Sequence, residues 1–241
     1  MTISASTHNK YILIFDADST LVKIEGINEL AKYCKKYDEV YQMTDTAMNG
    51  TSTIPFQELY KRRLDIIKPT LSQIKDLGQI YLNNKVAGVD ELFAKINQRK
   101  IQNHICSGGI LQALSPLANS LNTNSVFGVK LHFNEDGSFS HFDPSSETSQ
   151  DYGKNKIVKQ LKERHPNKEV IFIGDGQSDM ETKFNPITKQ IDSNYSNYFI
   201  AFTQVEPREK IMEQADFVAT DMFHLESILN REFGLELGKR F

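Results

Sequence analysis

The chain has 241 residues, of which 39% are hydrophobic and 24% charged, with a formal net charge of -3. That is the make-up of an ordinary globular protein with one large domain, or a domain with an insert. It lacks the basic runs that nucleic-acid binding needs and any apolar run of membrane-spanning length. Met1 to Lys10 is polar, without the apolar stretch of a signal peptide, and two cysteines make no disulfide framework. A cytoplasmic protein is the expectation, with no nucleic-acid or membrane partner.

Tyr11 to Phe15 is an unbroken apolar run ending at Asp16-Ala17-Asp18-Ser19-Thr20. With no polar alternation it reads as a strand buried on both faces. Acids at the carboxyl end of such a strand sit where open α/β sheets bind ligands. Two carboxylates so close call for a divalent metal, a shared proton, or both. Taken alone, the stretch reads equally well as a turn in which Asp18 or Ser19 caps the next helix.

Helical periodicity follows, with Ile24, Ile27, Leu30 and Ala31 on one face, and further helices over 37–48, 55–67 and 70–83. No strand pattern interrupts Val22 to Asn84, so this run reads as a small helical module. The α/β alternation then resumes with a helix over 89–99, a strand over 101–106 and a helix over 110–120. A hairpin is predicted from Val126–His132 and Ser138–His141 around Asn134-Glu135-Asp136-Gly137. A helix over 153–164, a buried strand over 169–173, and two further strand–helix units starting at Tyr198 and Asp216 complete the pattern. The tail from Gly234 is loose or packs as an extension. The alternation implies a parallel sheet with helices on both faces.

Three later stretches bear on Asp16 and Asp18. Ser107-Gly108-Gly109 ends a strand and offers a hydroxyl with free backbone N–H groups, a cradle for an anion or an ordinary glycine turn. Lys154 opens a helix, where a cation opposes the dipole unless it faces an anion. Lys156 and Lys159 on the same helix read as solvated. Gly174-Asp175-Gly176-Gln177-Ser178-Asp179 follows a buried strand and puts two more acids within one helical turn. Cys106 reads as a small core residue, and the six histidines show no metal-ligand spacing.

In this order the four stretches resemble those of the haloacid dehalogenase-like phosphohydrolases. Within that superfamily, Asp16 to Cys34, Ala47-Met48-Asn49-Gly50, Pro55-Phe56, Arg63, Ser107 to Gly109, Gly153-Lys154 and Gly174 to Glu181 look like segments of phosphoserine phosphatases. The resemblance implies a Rossmann-like parallel core, residues 1–22 and 86–241, and a helical cap, residues 23–85, closing over the pocket as a lid. It implies Mg²⁺-dependent hydrolysis of L-phosphoserine, the last step of serine biosynthesis, by a monomer or homodimer. Asp16 would be the nucleophile, Asp18 the acid–base, and Ser107, Lys154 and Asp179 the remaining catalytic residues. Asp16, Asp175 and the main-chain carbonyl of Asp18 would hold the metal. Glu25, Met48, Phe56, Arg63, Gly108 and Gly109 would bind substrate together with Ser107 and Lys154. Lys61 and Arg62, beside Arg63, read as a solvated basic face.

The chain departs from the family pattern at Gly128 to Leu131, in a longer polar stretch from Lys183 to Asn197, and at Phe202-Thr203-Gln204. Other small phosphomonoesters, or transfer to an acceptor such as homoserine, stay open on these grounds. A non-catalytic phospho-receiver does not need the second acid, Asp18.

Overall fold

In the computed structural model, which describes residues 10–48 and 53–238, β1 (Tyr11–Phe15) lies in the middle of the molecule with all five residues buried. It is flanked in parallel by β2 (Gln102–Ile110) and β6 (Glu169–Gly174). With β3 (Ser125–Val129), β7 (Tyr198–Phe202) and β8 (Phe217–Ala219) they form a six-stranded parallel sheet of order β3-β2-β1-β6-β7-β8. The chain crosses from β1 first to one side and later to the other. The ends of β1, β2 and β6 therefore meet at the switch point, where such sheets open a crevice.

The two faces of β1 divide the core by the strand's period of two. Ile12 and Ile14 pack with Ile157, Val158 and Leu161 of α7 (Gly153–Arg164). Leu13 and Phe15 face the opposite cluster, which takes in α5 (Val89–Gln98) and α10 (Met222–Phe233). Phe15 and Phe93 pack there with ring centroids 4.8 Å apart and planes tilted by 46°. Residues 234–238 continue this packing: Leu235 and Leu237 are buried, and the Leu237 N–H donates to the Asn230 side chain. Among the described residues no helix is long and apolar enough to cross a membrane.

Between β1 and α5 the chain makes an all-helical excursion: α1 (Gly26–Tyr33), α2 (Tyr37–Met48), α3 (Phe56–Ile67) and α4 (Leu71–Asn83). It leaves and returns at one place. Val22 and Lys85 form an antiparallel bridge, Lys23 N–H donates to the Asn84 carbonyl at 2.9 Å, and Val86 N–H to the Leu21 carbonyl at 2.9 Å. Thr70 and Gln73 cap the start of α4 reciprocally. The helix then lies against α6 (Leu111–Ser120), so closely that a Cβ on Gly78 would stand 3.1 Å from the Pro116 ring.

One expectation is corrected. Residues 126–132 are not a single hairpin strand. Val129 pairs in parallel with Ile110 in the main sheet, whereas Leu131, in β4 (Leu131–Phe133), pairs antiparallel with Phe142, in β5 (Phe139–Phe142). The break falls at Lys130, whose carbonyl accepts from Asp143 N–H and whose N–H donates to the Ser146 hydroxyl. A nearby loop thus claims the backbone groups that a continuous ladder would have used.

Candidate active site

Asp16 and Asp175 directly follow β1 and β6. Ser107 lies inside β2, which runs on to Ile110 through a register shift against β3. The expected turn at Ser107-Gly108-Gly109 is thus an irregular strand end, and all three site residues are buried. Asp16 continues the sheet by one bond, its N–H donating to the Ile173 carbonyl at 2.9 Å. Its side chain is held from two sides. Oδ1 accepts from Ala17 N–H at 2.8 Å, and Oδ2 lies 3.1 Å from Lys154 Nζ. Lys154 also donates to Asp179 Oδ1 at 2.5 Å. Burial alone would lower the Lys154 ammonium, but the charges of Asp16 and Asp179 outweigh it and raise it above the ordinary lysine value.

Lys154 reaches this position because α7 starts tightly against the preceding loop: a Cβ on Gly153 would stand 1.8 Å from the Glu147 carbonyl oxygen. Asp179, in the short helix α8 (Gln177–Met180), turns back so that Oδ2 accepts from Gly176 N–H at 3.0 Å. Gly174 leaves it room, since a Cβ there would lie 2.3 Å from Asp179 Cγ. Lys156 and Lys159 are exposed.

Oxygens of Asp16, Asp175 and Asp179 lie within 4.8 Å of one another. Burial raises the Asp175 carboxyl well above its ordinary value, against the nearby Arg208 charge, and raises Asp179 to about 6 against Lys154. Three buried carboxylates with oxygen donors only, held this close together, fit a hard divalent cation. Asp18 is not in this triple. Its Oδ1 accepts from Tyr81 Oη at 2.7 Å and Gly26 N–H at 3.2 Å, and burial followed by the Asp16 charge raises it to about 7.

A cavity of about 350 Å³ opens over these groups, within the range of small-molecule sites. Its floor includes Asp16, Asp18, Ser107 and Lys154; its roof includes Ile27, Phe56, Tyr60 and Arg63 from the helical excursion. Ser107 Oγ accepts from Gly109 N–H at 3.1 Å, leaving its own proton free to point elsewhere. A Cβ on Gly108 would lie 3.5 Å from the Phe56 ring, so Phe56 covers this end of β2.

Arg63 is 4% exposed, its guanidinium lying 5.6 Å from the Phe56 ring centroid and 5.2 Å from that of Tyr60. One terminal nitrogen donates to Thr44 Oγ1 at 3.4 Å, whereas Nε is buried with no partner among the described residues. Lys61 and Arg62 are exposed and pair along α3 with Asp65 and Glu58. Glu25 is half-buried in the cavity wall and accepts from Ser19 Oγ at 2.8 Å. Burial, then the Asp18 charge, raises it to about 8. Met48 ends α2, and its side chain, like Asn49 and Gly50, lies outside the described residues.

Four residues here went unremarked in the sequence. Arg208 donates to both the carboxylate and the carbonyl of Asp175. Asp151 accepts from the N–H of Phe56 at 3.0 Å, capping α3 from the opposite side of the cavity. Tyr152, left-handed at φ 55, lines the cavity and carries Lys189 of the longer 183–197 stretch over its ring at 3.8 Å. Tyr81 holds Asp18. Only Arg208 had a usable signal, its place in the loop that follows a parallel strand.

A parallel sheet with aspartates, a lysine and a hydroxyl converging at its switch point defines an aspartate-centred hydrolase. The chain belongs to the haloacid dehalogenase-like hydrolase family, whose model matches residues 12–182. Its relatives include phosphoserine phosphatases. It is 32% identical to that of Bos taurus over 213 residues, 88% of this chain and 89% of the relative. It is 33% identical to that of Homo sapiens with the same coverage. The structure is similar to that of a phosphoserine phosphohydrolase-like protein from Francisella tularensis, with a TM-score of 0.77 and 29% identity, covering 91% of this chain and 99% of that one.

Proposed function

We propose that this enzyme hydrolyses L-phosphoserine to L-serine and phosphate, with Mg²⁺ as cofactor, in the cytoplasm. The observation that carries the substrate is Arg63. A buried guanidinium with an unpartnered Nε is costly unless an anion completes it. The cavity floor already provides for a phosphate through Lys154, Ser107 and Gly108, so a second anion, a carboxylate, falls to Arg63. Glu25, on the same wall, suits the ammonium, because a neighbouring cation returns a raised carboxyl to its charged form. Phosphate, carboxylate and ammonium together describe a phosphorylated amino acid. The names of the relatives point the same way.

In this reading the Asp16 carboxylate attacks phosphorus and the serine alkoxide leaves, giving an aspartyl-phosphate. Lys154, the Ser107 hydroxyl and the Gly108 N–H hold the phosphoryl oxygens. Asp18 protonates the leaving oxygen, then takes a proton from the water that hydrolyses the acyl phosphate. Asp179 orients Lys154. The carboxylates of Asp16 and Asp175 and the Asp18 carbonyl would hold Mg²⁺, with the Asp179 carboxylate close beside them; when bound, the ion offsets the repulsion between two anions. Residues 23–85 act as the lid over a core of 1–22 and 86–241, and Asp151 latches it by capping α3. Phe56 shields the phosphate from water.

A phosphate-release screen over phosphoserine, phosphothreonine, sugar phosphates and nucleotides tests this. The expected result is preference for phosphoserine, loss of activity in excess chelator and recovery with Mg²⁺ but not Ca²⁺, whose looser oxygen shell suits the site poorly. Preference for a phosphate lacking the amino-acid head would overturn the substrate; full activity in chelator would overturn the metal.

A further inference from the structure

We propose that Tyr81, on the last lid helix, is a positioning residue that fixes which oxygen of Asp18 handles the proton. This rests on the reading of Asp18 as the acid–base. Asp18 is 8% exposed and its two oxygens are in different situations. Oδ1 accepts two hydrogen bonds, from Tyr81 Oη at 2.7 Å and Gly26 N–H at 3.2 Å. Oδ2 has no hydrogen-bond partner among the described residues, and Asp18 lines the cavity. A carboxyl oxygen that already accepts two donors is a poor site for a proton. The proton is therefore directed to Oδ2.

The hydroxyl cannot easily leave this position. Tyr81 is fully buried on α4, between the loop that follows β1 and the Gly108-Gly109 stretch near the end of β2. A Cβ on Gly26 would stand 1.9 Å from the Tyr81 oxygen, and one on Gly109 would stand 3.1 Å from it. Gly26 thus has two uses at one point: its N–H bonds Asp18, and its missing side chain admits the phenol. The result is a link from lid to chemistry that does not pass through substrate. The helix that packs against α6 also sets the rotamer of Asp18, so that proton transfer is aligned only when α4 is docked.

The test is Tyr81→Phe, which keeps the ring and removes one oxygen, measured on the Mg²⁺-loaded enzyme with two substrates. Phosphoserine has an alkoxide leaving group that needs a proton. p-Nitrophenyl phosphate releases a stable phenolate, so its first-turnover burst does not depend on the acid. The variant is expected to lose about tenfold in kcat for phosphoserine, the scale of one hydrogen bond to a charged group. KM for phosphoserine and the rate of the nitrophenolate burst should stay near wild type. Leu77→Ala, one turn away on α4 and buried, should lower Tm and leave the ratio of the two rates unchanged. An unchanged kcat for phosphoserine would overturn the proposal. So would an equal loss on both substrates, or a loss of Tm with no change in that ratio. Asp18→Asn run in parallel separates the underlying reading, since wild-type turnover by that variant would dismiss Asp18 as acid–base whatever Tyr81 does.

Discussion

The floor and the roof of the cavity differ in how their charges are balanced. On the floor, the strand-end charges have protein partners: Lys154 bridges Asp16 and Asp179, and Arg208 covers Asp175. On the roof, Arg63 keeps a buried Nε and Tyr60 a buried hydroxyl without partners among the described residues. Low dielectric makes such orphans costly, and a ligand removes the cost. The floor is thus preassembled for chemistry, and the roof is left incomplete for recognition. Changes to the floor should therefore act on turnover for every substrate, and changes to the roof on selectivity.

The largest expected effect is on the floor. Asp16→Asn keeps the shape of the side chain and removes the attacking charge. Turnover should fall by at least about a thousandfold for phosphoserine and p-nitrophenyl phosphate alike, as for other nucleophile deletions. Mass spectrometry of the quenched wild type should place the phosphoryl adduct on Asp16. Turnover by the variant near the wild-type rate would remove the assignment.

A smaller effect is expected where roof meets floor. Asp151 caps α3 across the cavity, and losing a cap costs about 1 kcal/mol, roughly fivefold in an equilibrium constant. Asp151→Ala should raise KM for phosphoserine by about that factor and speed amide exchange in α3. Asp151→Asn, which still accepts from an N–H, should restore most of both. Equal behaviour of the two variants would show that the cap is idle.

How far the sequence discloses this arrangement depends on whether each residue's partner is local. The run Tyr11 to Phe15 has only one comfortable environment, a central strand, so its carboxyl end and Asp16 follow from it. Arg63 separates from Lys61 and Arg62 because the buried face of α3, with Leu59, Tyr60 and Ile67, includes 63 and excludes 61 and 62. Tyr81 was hidden for the opposite reason. It follows Ile74 and Leu77 at helical spacing and reads as core. It is core, and its one polar atom acts on a residue 63 positions away. Arg208 and Asp151 likewise act through partners 33 and 95 residues distant. The split at Lys130 was missed because alternation survives across it; only the hydrogen bonds from the 143–146 loop reveal where one ladder stops.

The division between floor and roof is tested most directly by Arg63→Ala assayed with phosphoserine and p-nitrophenyl phosphate side by side, with Arg62→Ala as the neighbouring control. Losing one partner of a buried charge pair costs about 2–5 kcal/mol, so kcat/KM for phosphoserine should drop by roughly thirtyfold or more. The nitrophenyl ester, which has neither carboxylate nor ammonium, should be cleaved nearly as by wild type, and Arg62→Ala should leave both substrates unchanged. An equal drop on both substrates in Arg63→Ala would contradict the account, making Arg63 part of the phosphate site or of the fold.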